Sequence, residues 1–123
     1  MTHCVVIVEP DRLQMKMFND LLVARGFETQ MFGDPGEALS FARQRRADVM
    51  LVSVDFPDEA GLDLIRSIKS DPEIKNTIPI IVVFDYASNE ETTRLHETEC
   101  VDYITKPVDV SRLFSAVEKC LGQ

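Results

Sequence analysis

Residues 49 to 57 read Val49-Met50-Leu51-Val52-Ser53-Val54-Asp55-Phe56-Pro57. The apolar run is typical of a strand buried on both faces, such as a parallel sheet has at its centre. The polar residues and the proline that follow indicate a loop. In an open parallel α/β sheet, binding and chemistry occur just beyond the carboxyl ends of the strands. Ser53 and Asp55 are therefore the first candidate site residues.

The rest of the chain alternates predicted strands with segments whose apolar residues recur at helical spacing. The predicted strands cover residues 3–8, 27–32, 49–53, 79–84 and 101–105. The predicted helices begin after the caps Asp11 and Asp34, and then at Leu62, Ser88 and Val110. The fourth helix, 88–99, has few apolar residues, and we expect it to be the most mobile because burial supplies most helical stability.

This alternation predicts an α/β fold. Five strands of this length favour a doubly wound, flavodoxin-like (βα)5 sandwich with a five-stranded parallel sheet in the order 2-1-3-4-5 and right-handed crossovers. The order makes strands 1 and 3 neighbours, so the loops after them meet at one edge. Further candidate site residues at this edge are Glu9, Pro10, Asp11, Phe84 and Lys106.

Composition limits the function classes. The 123 residues, 45% of them apolar, fit a single domain over 1–123 with no output domain. A net charge of -8 argues against nucleic-acid binding, and the one basic cluster, Arg43 with Arg45 and Arg46, is typical of a solvated helix end. Three widely spaced cysteines indicate reduced thiols in the cytoplasm. No apolar run approaches the roughly 18 residues that a membrane span needs.

The chain resembles the receiver domains of two-component response regulators, and most of all the single-domain, DivK-type receivers of bacterial cell-cycle signalling. The similarity spans nearly all of the chain and implies the CheY-like version of the fold. The residues that carry the resemblance are Val6 to Glu9, the strand that ends at Ser53, Pro57 with Gly61, Ile78-Pro79, and Tyr103 to Pro107.

The resemblance implies a phosphorylation site and also shows where it is broken. In the family, an acidic pair and an Asp hold Mg²⁺, that Asp accepts a phosphoryl group from a histidine kinase, and a Ser or Thr and a Lys contact the group. Here the second acid falls on Pro10, the acceptor on Ser53 and the Ser/Thr on Phe84. Glu9 and Lys106 are retained.

We therefore expect no aspartyl phosphorylation, weak or absent Mg²⁺ binding, no other cofactor and no enzymatic activity. The predicted function is that of a degenerate pseudo-receiver, which contacts histidine kinases or other signalling proteins without phosphorylation. Tyr103 falls on the position of the aromatic residue that switches in the family. We expect it on the output face, which is the face formed by helix 4, strand 5 and helix 5 that family members use for their outputs. We expect a monomer or a weak homodimer, with no nucleic-acid or membrane partner.

Alternative interpretations remain for several of these residues. Asp55 is the nearest carboxylate that could accept a phosphoryl group, although we expect it in the loop beyond the pocket floor. Asp11 could replace the missing acid, but a helix cap is favoured. Ser53 could be phosphorylated by a Ser/Thr kinase, but a local hydrogen bond is favoured.

Two further points stay open. An unrelated flavodoxin-like cofactor binder is disfavoured, because the loop after strand 1 is acidic and Pro10 removes an amide that could bind phosphate. Lys106 lacks its usual carboxylate, and its candidate partners are Glu9, Asp11, Asp55 and Asp85. The resemblance also implies a cis Lys106-Pro107 bond.

Overall fold

The computed structural model describes residues 3–45, 47–84 and 102–122. Five parallel strands form one sheet in the order β2-β1-β3-β4-β5, as the alternation predicts. The strands are β1 Cys4–Val8, β2 Glu28–Phe32, β3 Val49–Ser53, β4 Ile80–Phe84 and β5 Asp102–Thr105. The predicted helix at 88–99 lies outside the described residues.

Four α-helices are described. They are α1 Arg12–Ala24, α2 Pro35–Gln44, α3 Ala60–Ser70 and the C-terminal helix Val110–Cys120. Asp11 caps α1, since its Oδ1 accepts from the Leu13 amide at 2.8 Å and the Gln14 amide at 3.3 Å. Asp34 caps α2 in the same way. Gly26 follows α1 with φ +97°, the left-handed conformation that glycine adopts at helix ends.

The core lies on both faces of the sheet. One cluster packs under α2 and α3, and the other packs under α1 and the C-terminal helix. All five residues of β3 are buried; Val52 belongs to the first cluster and Leu51 to the second. Burying each such side chain contributes about 1.5–3 kcal/mol, which explains why a continuous apolar run occupies the centre of the sheet.

The loop between β3 and α3 is tightly built. A Cβ on Gly61 would lie 2.4 Å from the Ser53 carbonyl oxygen, so only glycine lets α3 begin this close to the end of β3. A short 3-10 helix, Pro57–Glu59, precedes α3. In it, Asp58 and Glu59 have φ of 57° and 59°, a region that costs a non-glycine residue energy. The sequence did not predict these two conformations.

Within the described ranges, no helix is both long and apolar enough to cross a bilayer.

Candidate functional site

The candidate site lies where the carboxyl ends of β1, β3, β4 and β5 meet. Register brings Val8 beside Val52, Ser53 beside Val83, and Phe84 beside Thr105. The residues that directly follow β1 and β5 are Glu9 and Lys106. The predicted convergence at one sheet edge is thus present in the structure.

Lys106 lies at the centre of this cluster. Its Nζ is 2.7 Å from Glu9 Oε1 and 2.6 Å from Asp55 Oδ2. The side chains of Lys106 and Glu9 are 9% and 1% exposed, and that of Asp55 is 24% exposed. Of the four carboxylates considered as partners, Glu9 and Asp55 pair with Lys106, Asp11 caps α1 instead, and Asp85 lies outside the described residues.

Glu9 uses both carboxylate oxygens. Oε2 accepts a hydrogen bond from the Asp11 amide at 3.0 Å. Oε1 faces the ammonium as an ion pair and receives no aligned hydrogen bond from the described residues. Burying a carboxylate this deeply costs several kcal/mol unless a cation compensates it, and Lys106 supplies that cation at 2.7 Å.

Asp55 corrects one expectation. Its backbone follows β3 in the loop, as predicted, but its carboxylate does not lie beyond the pocket floor. The side chain turns back, so that Oδ2 reaches Lys106 and lies 3.3 Å from Ser53 Oγ. The physical reason is charge: no carboxylate at position 53 competes for the ammonium, and the short serine leaves space for Asp55.

Ser53 is enclosed and makes local contacts. Its side chain is 1% exposed, its Oγ donates to Asp55 Oδ2, and it accepts from the Asp55 amide at 3.4 Å. Lys106 Nζ lies 3.5 Å from the same hydroxyl. The local hydrogen bonding favoured for Ser53 is therefore the arrangement found.

The charge state of Lys106 follows from its surroundings. Burial on its own lowers the pKa of the ammonium, but the close contacts with the negative charges of Asp55 and Glu9 together outweigh burial, and the net effect raises the pKa. Lys106 is therefore a cation at neutral pH.

Phe84 and Tyr103 form the aromatic side of the site. Phe84 is 8% exposed, and its ring meets that of Tyr103 edge-on, with 6.4 Å between centroids and 76° between planes. The Phe84 carbonyl accepts from the Lys106 amide at 2.8 Å. Phe84 thus contributes a ring and no hydroxyl. The Lys106-Pro107 bond is cis, as the resemblance implies.

The residues present do not fit the family's magnesium ion. Mg²⁺ requires near-octahedral oxygen ligands with carboxylates among them. Pro10 supplies none, Ser53 supplies a neutral hydroxyl, and an internal ammonium already holds Glu9 and Asp55. Within the described residues, no three His, Cys, Asp or Glu side chains are placed to hold a metal.

The sequence placed Asp55 among four candidate partners of Lys106, but it did not predict that the Asp55 side chain turns back over Ser53. The available signal had two parts. Asp55 lies two residues after Ser53, a small residue that replaces an acid at the end of β3, and Lys106 lacks its usual carboxylate partner. That signal is weak, because the direction of a loop side chain depends on contacts with distant residues.

Comparison with known proteins shows the family of the chain. A family model described as the response regulator receiver domain matches residues 5–118. The polar-differentiation response regulator DivK of Brucella ovis is 36% identical over 122 residues, which cover 99% of this chain and 98% of the relative.

Solved structures agree as well. The signal receiver domain of a signal transduction histidine kinase from Syntrophus aciditrophicus has a TM-score of 0.90 at 26% identity, covering 98% of this chain and 91% of that one. Chemotaxis protein CheY4 of Vibrio cholerae has a TM-score of 0.87 at 22% identity, covering 98% and 99%, and supports the fold alone. Receivers generally are non-enzymatic signalling modules that interact with histidine kinases and other signalling proteins. The chain belongs to the response regulator receiver domain family of two-component signalling.

Proposed function

We propose that this receiver is a pseudo-receiver, which signals by phosphorylation-independent contacts with a histidine kinase or another signalling protein. The observation that carries the proposal is the position of the Lys106 ammonium between the carboxylates of Glu9 and Asp55. The Lys106 ammonium already compensates these two negative charges. In a phosphorylatable receiver, a metal ion would help to balance the negative charges of the site.

Electrostatics supports a site fixed in one state. A pair of unit charges 2.7 Å apart attracts by about 6 kcal/mol at an effective dielectric of about 20, before a desolvation cost of several kcal/mol. Binding a metal here would mean breaking one of these contacts while gaining at most two carboxylates. We therefore propose weak or absent Mg²⁺ binding and no catalytic role for the cluster.

The outer faces supply the proposed contacts. Leu13, at the start of α1, is 80% exposed and offers a large apolar side chain for contact with a partner protein. Tyr103 is partly buried on β5. We propose that such faces bind the partner in the cytoplasm, with the chain as a monomer or weak homodimer and without nucleic acid.

The decisive experiment measures thermal unfolding with and without 10 mM Mg²⁺ and beryllium fluoride, which mimics a phosphoryl group. We expect no shift for this chain and a clear rise for a receiver that retains the acidic pair and the acceptor Asp, used as the positive control. A rise of several degrees for this chain would refute the proposal.

Partner binding is tested separately. Purified histidine kinases from the same genome are titrated with the chain, with and without a phosphodonor and Mg²⁺. We expect at least one to bind equally well under both conditions, and Leu13→Ser or Tyr103→Ala to weaken that binding. Binding that appears only with the phosphodonor, or no binding at all, would contradict the proposal.

One observation favours a second candidate function. The Asp55 carboxylate touches Lys106 at 2.6 Å and is 24% exposed, so Asp55 could be a displaced phosphoacceptor. Intact mass spectrometry after incubation with acetyl phosphate and Mg²⁺ tests this. A gain of one phosphoryl unit that Asp55→Asn abolishes and Asp58→Asn retains would establish it; an unchanged mass would exclude it.

A further inference from the structure

A cleft of about 660 Å³ opens at the opposite end of the domain from Lys106. It lies between the end of α2 and the segment that leads into β4. A strand of five residues, about 16 Å long, separates the two ends. The volume falls within the roughly 300–1,000 Å³ typical of small-molecule sites.

The floor of the cleft is apolar and fixed. Ala47, Ile74 and Ile78 line it, and they are 1%, 8% and 4% exposed because they also belong to the core cluster under α2 and α3. The Ile74 carbonyl accepts from both the amide and the hydroxyl of Thr77, each at 3.0 Å, which fixes this turn beside the cleft. Such a floor suits the face of a flat, weakly polar group.

The rim carries positive charge. Arg45 is exposed and forms no ion pair with the described residues. Arg43 is held in place at the rim, because its Nε donates to Asp71 Oδ2 at 3.1 Å. The C-terminal end of the α2 dipole carries about half a negative charge and therefore repels an anion. The full positive charge of Arg45 exceeds this half charge. The chain as a whole has a net charge of -8 and repels anions, so the cleft beside Arg45 is unusual in attracting one.

Two amide side chains complete the lining. Gln44 and Asn76 border the same cleft and offer both donors and acceptors. A ligand that matches all these features has an anionic group for Arg45, a flat body for the isoleucines, and polar edges for the amides. A nucleotide has these three parts.

We propose that this cleft binds a mononucleotide-sized organic phosphate, with the phosphate on Arg45 and the base over Ile74 and Ile78. The site is independent of the Lys106 cluster. Because one arginine carries an uncompensated charge, the expected affinity is modest, with a Kd of about 0.1–1 mM.

The test is a calorimetric and NMR titration of the full chain with AMP and GMP, and with adenosine, guanosine and inorganic phosphate as partial ligands. We expect one nucleotide to bind in this range and to shift the methyl signals of Ile74 and Ile78. Its nucleoside and inorganic phosphate should each bind at least tenfold more weakly, and raising the salt from 50 to 500 mM should weaken nucleotide binding.

Variants locate the site. Arg45→Gln should weaken the binding at least tenfold, whereas Arg12→Gln, an exposed arginine at the other end of the domain, should leave it unchanged. Thermal unfolding of each variant checks that the fold is intact. The proposal is overturned if neither nucleotide binds below about 5 mM, if inorganic phosphate binds as tightly as the nucleotide, or if Arg45→Gln retains the affinity.

Discussion

The ammonium of Lys106 lies 2.7 Å from Oε1 of Glu9, and both side chains are less than 10% exposed. Lys106 follows β5 and Glu9 follows β1, which are not adjacent in the sheet because β3 and β4 lie between them. The contact therefore ties the two sides of the site together. It also makes each charge dependent on the other, because neither can be solvated by bulk water.

Replacing Lys106 with methionine leaves the buried Glu9 carboxylate without a cation. We expect Lys106→Met to lower the free energy of unfolding by about 3 kcal/mol at pH 7, measured by urea titration. Glu9→Gln combined with Lys106→Met should recover much of the loss, because no unpaired charge then remains. The control is Lys16→Met, which breaks an exposed pair with Asp20 and should cost far less, because both charges stay solvated. Similar losses in both single variants would contradict the role given to burial.

Restoring the missing acids should restore the metal site. We expect the variant Pro10→Asp with Ser53→Asp to bind Mg²⁺, because two carboxylates are added to Glu9 at the ends of β1 and β3. Mg²⁺ at ten times its Kd should then stabilise the variant by about 1.4 kcal/mol, while the wild-type chain does not respond. Thermal unfolding with and without Mg²⁺ measures the difference. A variant that remains insensitive would show that the Lys106 cluster itself, and not the lost acids, excludes the metal.

Gly61 is expected to be intolerant of any side chain. A Cβ there would lie 2.4 Å from the Ser53 carbonyl, so Gly61→Ala must displace the start of α3 and should cost about 2–3 kcal/mol. Gly36 provides the matched control: it lies in the first turn of α2, where the nearest atom to an added Cβ is 3.5 Å away. Gly36→Ala should instead stabilise the chain by about 0.5–1 kcal/mol. Urea unfolding compares the two, and equal effects would be inconsistent with the structure.

The edge-on contact between Phe84 and Tyr103 should be measurable as a coupling energy. A double-mutant cycle with Phe84→Leu and Tyr103→Leu is expected to give about 0.5–1.5 kcal/mol, beyond the loss of buried area. Urea unfolding of the four proteins supplies the cycle. A coupling below about 0.3 kcal/mol would mean that the rings are merely adjacent.

Asp102 predicts a dependence on acid pH. Hydrogen bonds from Arg112 lower the pKa of Asp102, and partial burial opposes this only in part. Because the folded-state pKa lies below the unfolded value of about 3.9, the stabilisation is complete above that value. It is lost as the pH falls through the folded pKa. The stability difference between wild type and Asp102→Asn should therefore be constant above about pH 5 and shrink below about pH 4. In an Arg112→Gln background this pH dependence should become smaller, because only the Tyr103 amide and the charge of Lys119 then lower the pKa of Asp102. An unchanged pH dependence would contradict the role given to Arg112.

The fold was largely predictable because its signals are local. Apolar runs such as 49–53 mark strands buried on both faces, and Asp11 and Asp34 cap helices through amides two or three residues away. The alternation of strands and helices then leaves few topologies open. The resemblance together with the residue types also implied the lost ligands, which are a carboxylate at Pro10, a carboxylate at Ser53 and a hydroxyl at Phe84.

The tertiary structure decided which charges meet. Nothing in the sequence near Lys106 selects Glu9 and Asp55 over Asp11, since the pairing joins residues 51 to 97 positions apart and competes with helix capping. The return of the Asp55 side chain, the left-handed backbone at Asp58 and Glu59, and the cleft beside Arg45 likewise depend on packing between distant segments. Periodicity encodes which faces are buried, but the directions of loop side chains are set by long-range electrostatics and packing, which only the folded chain brings into contact.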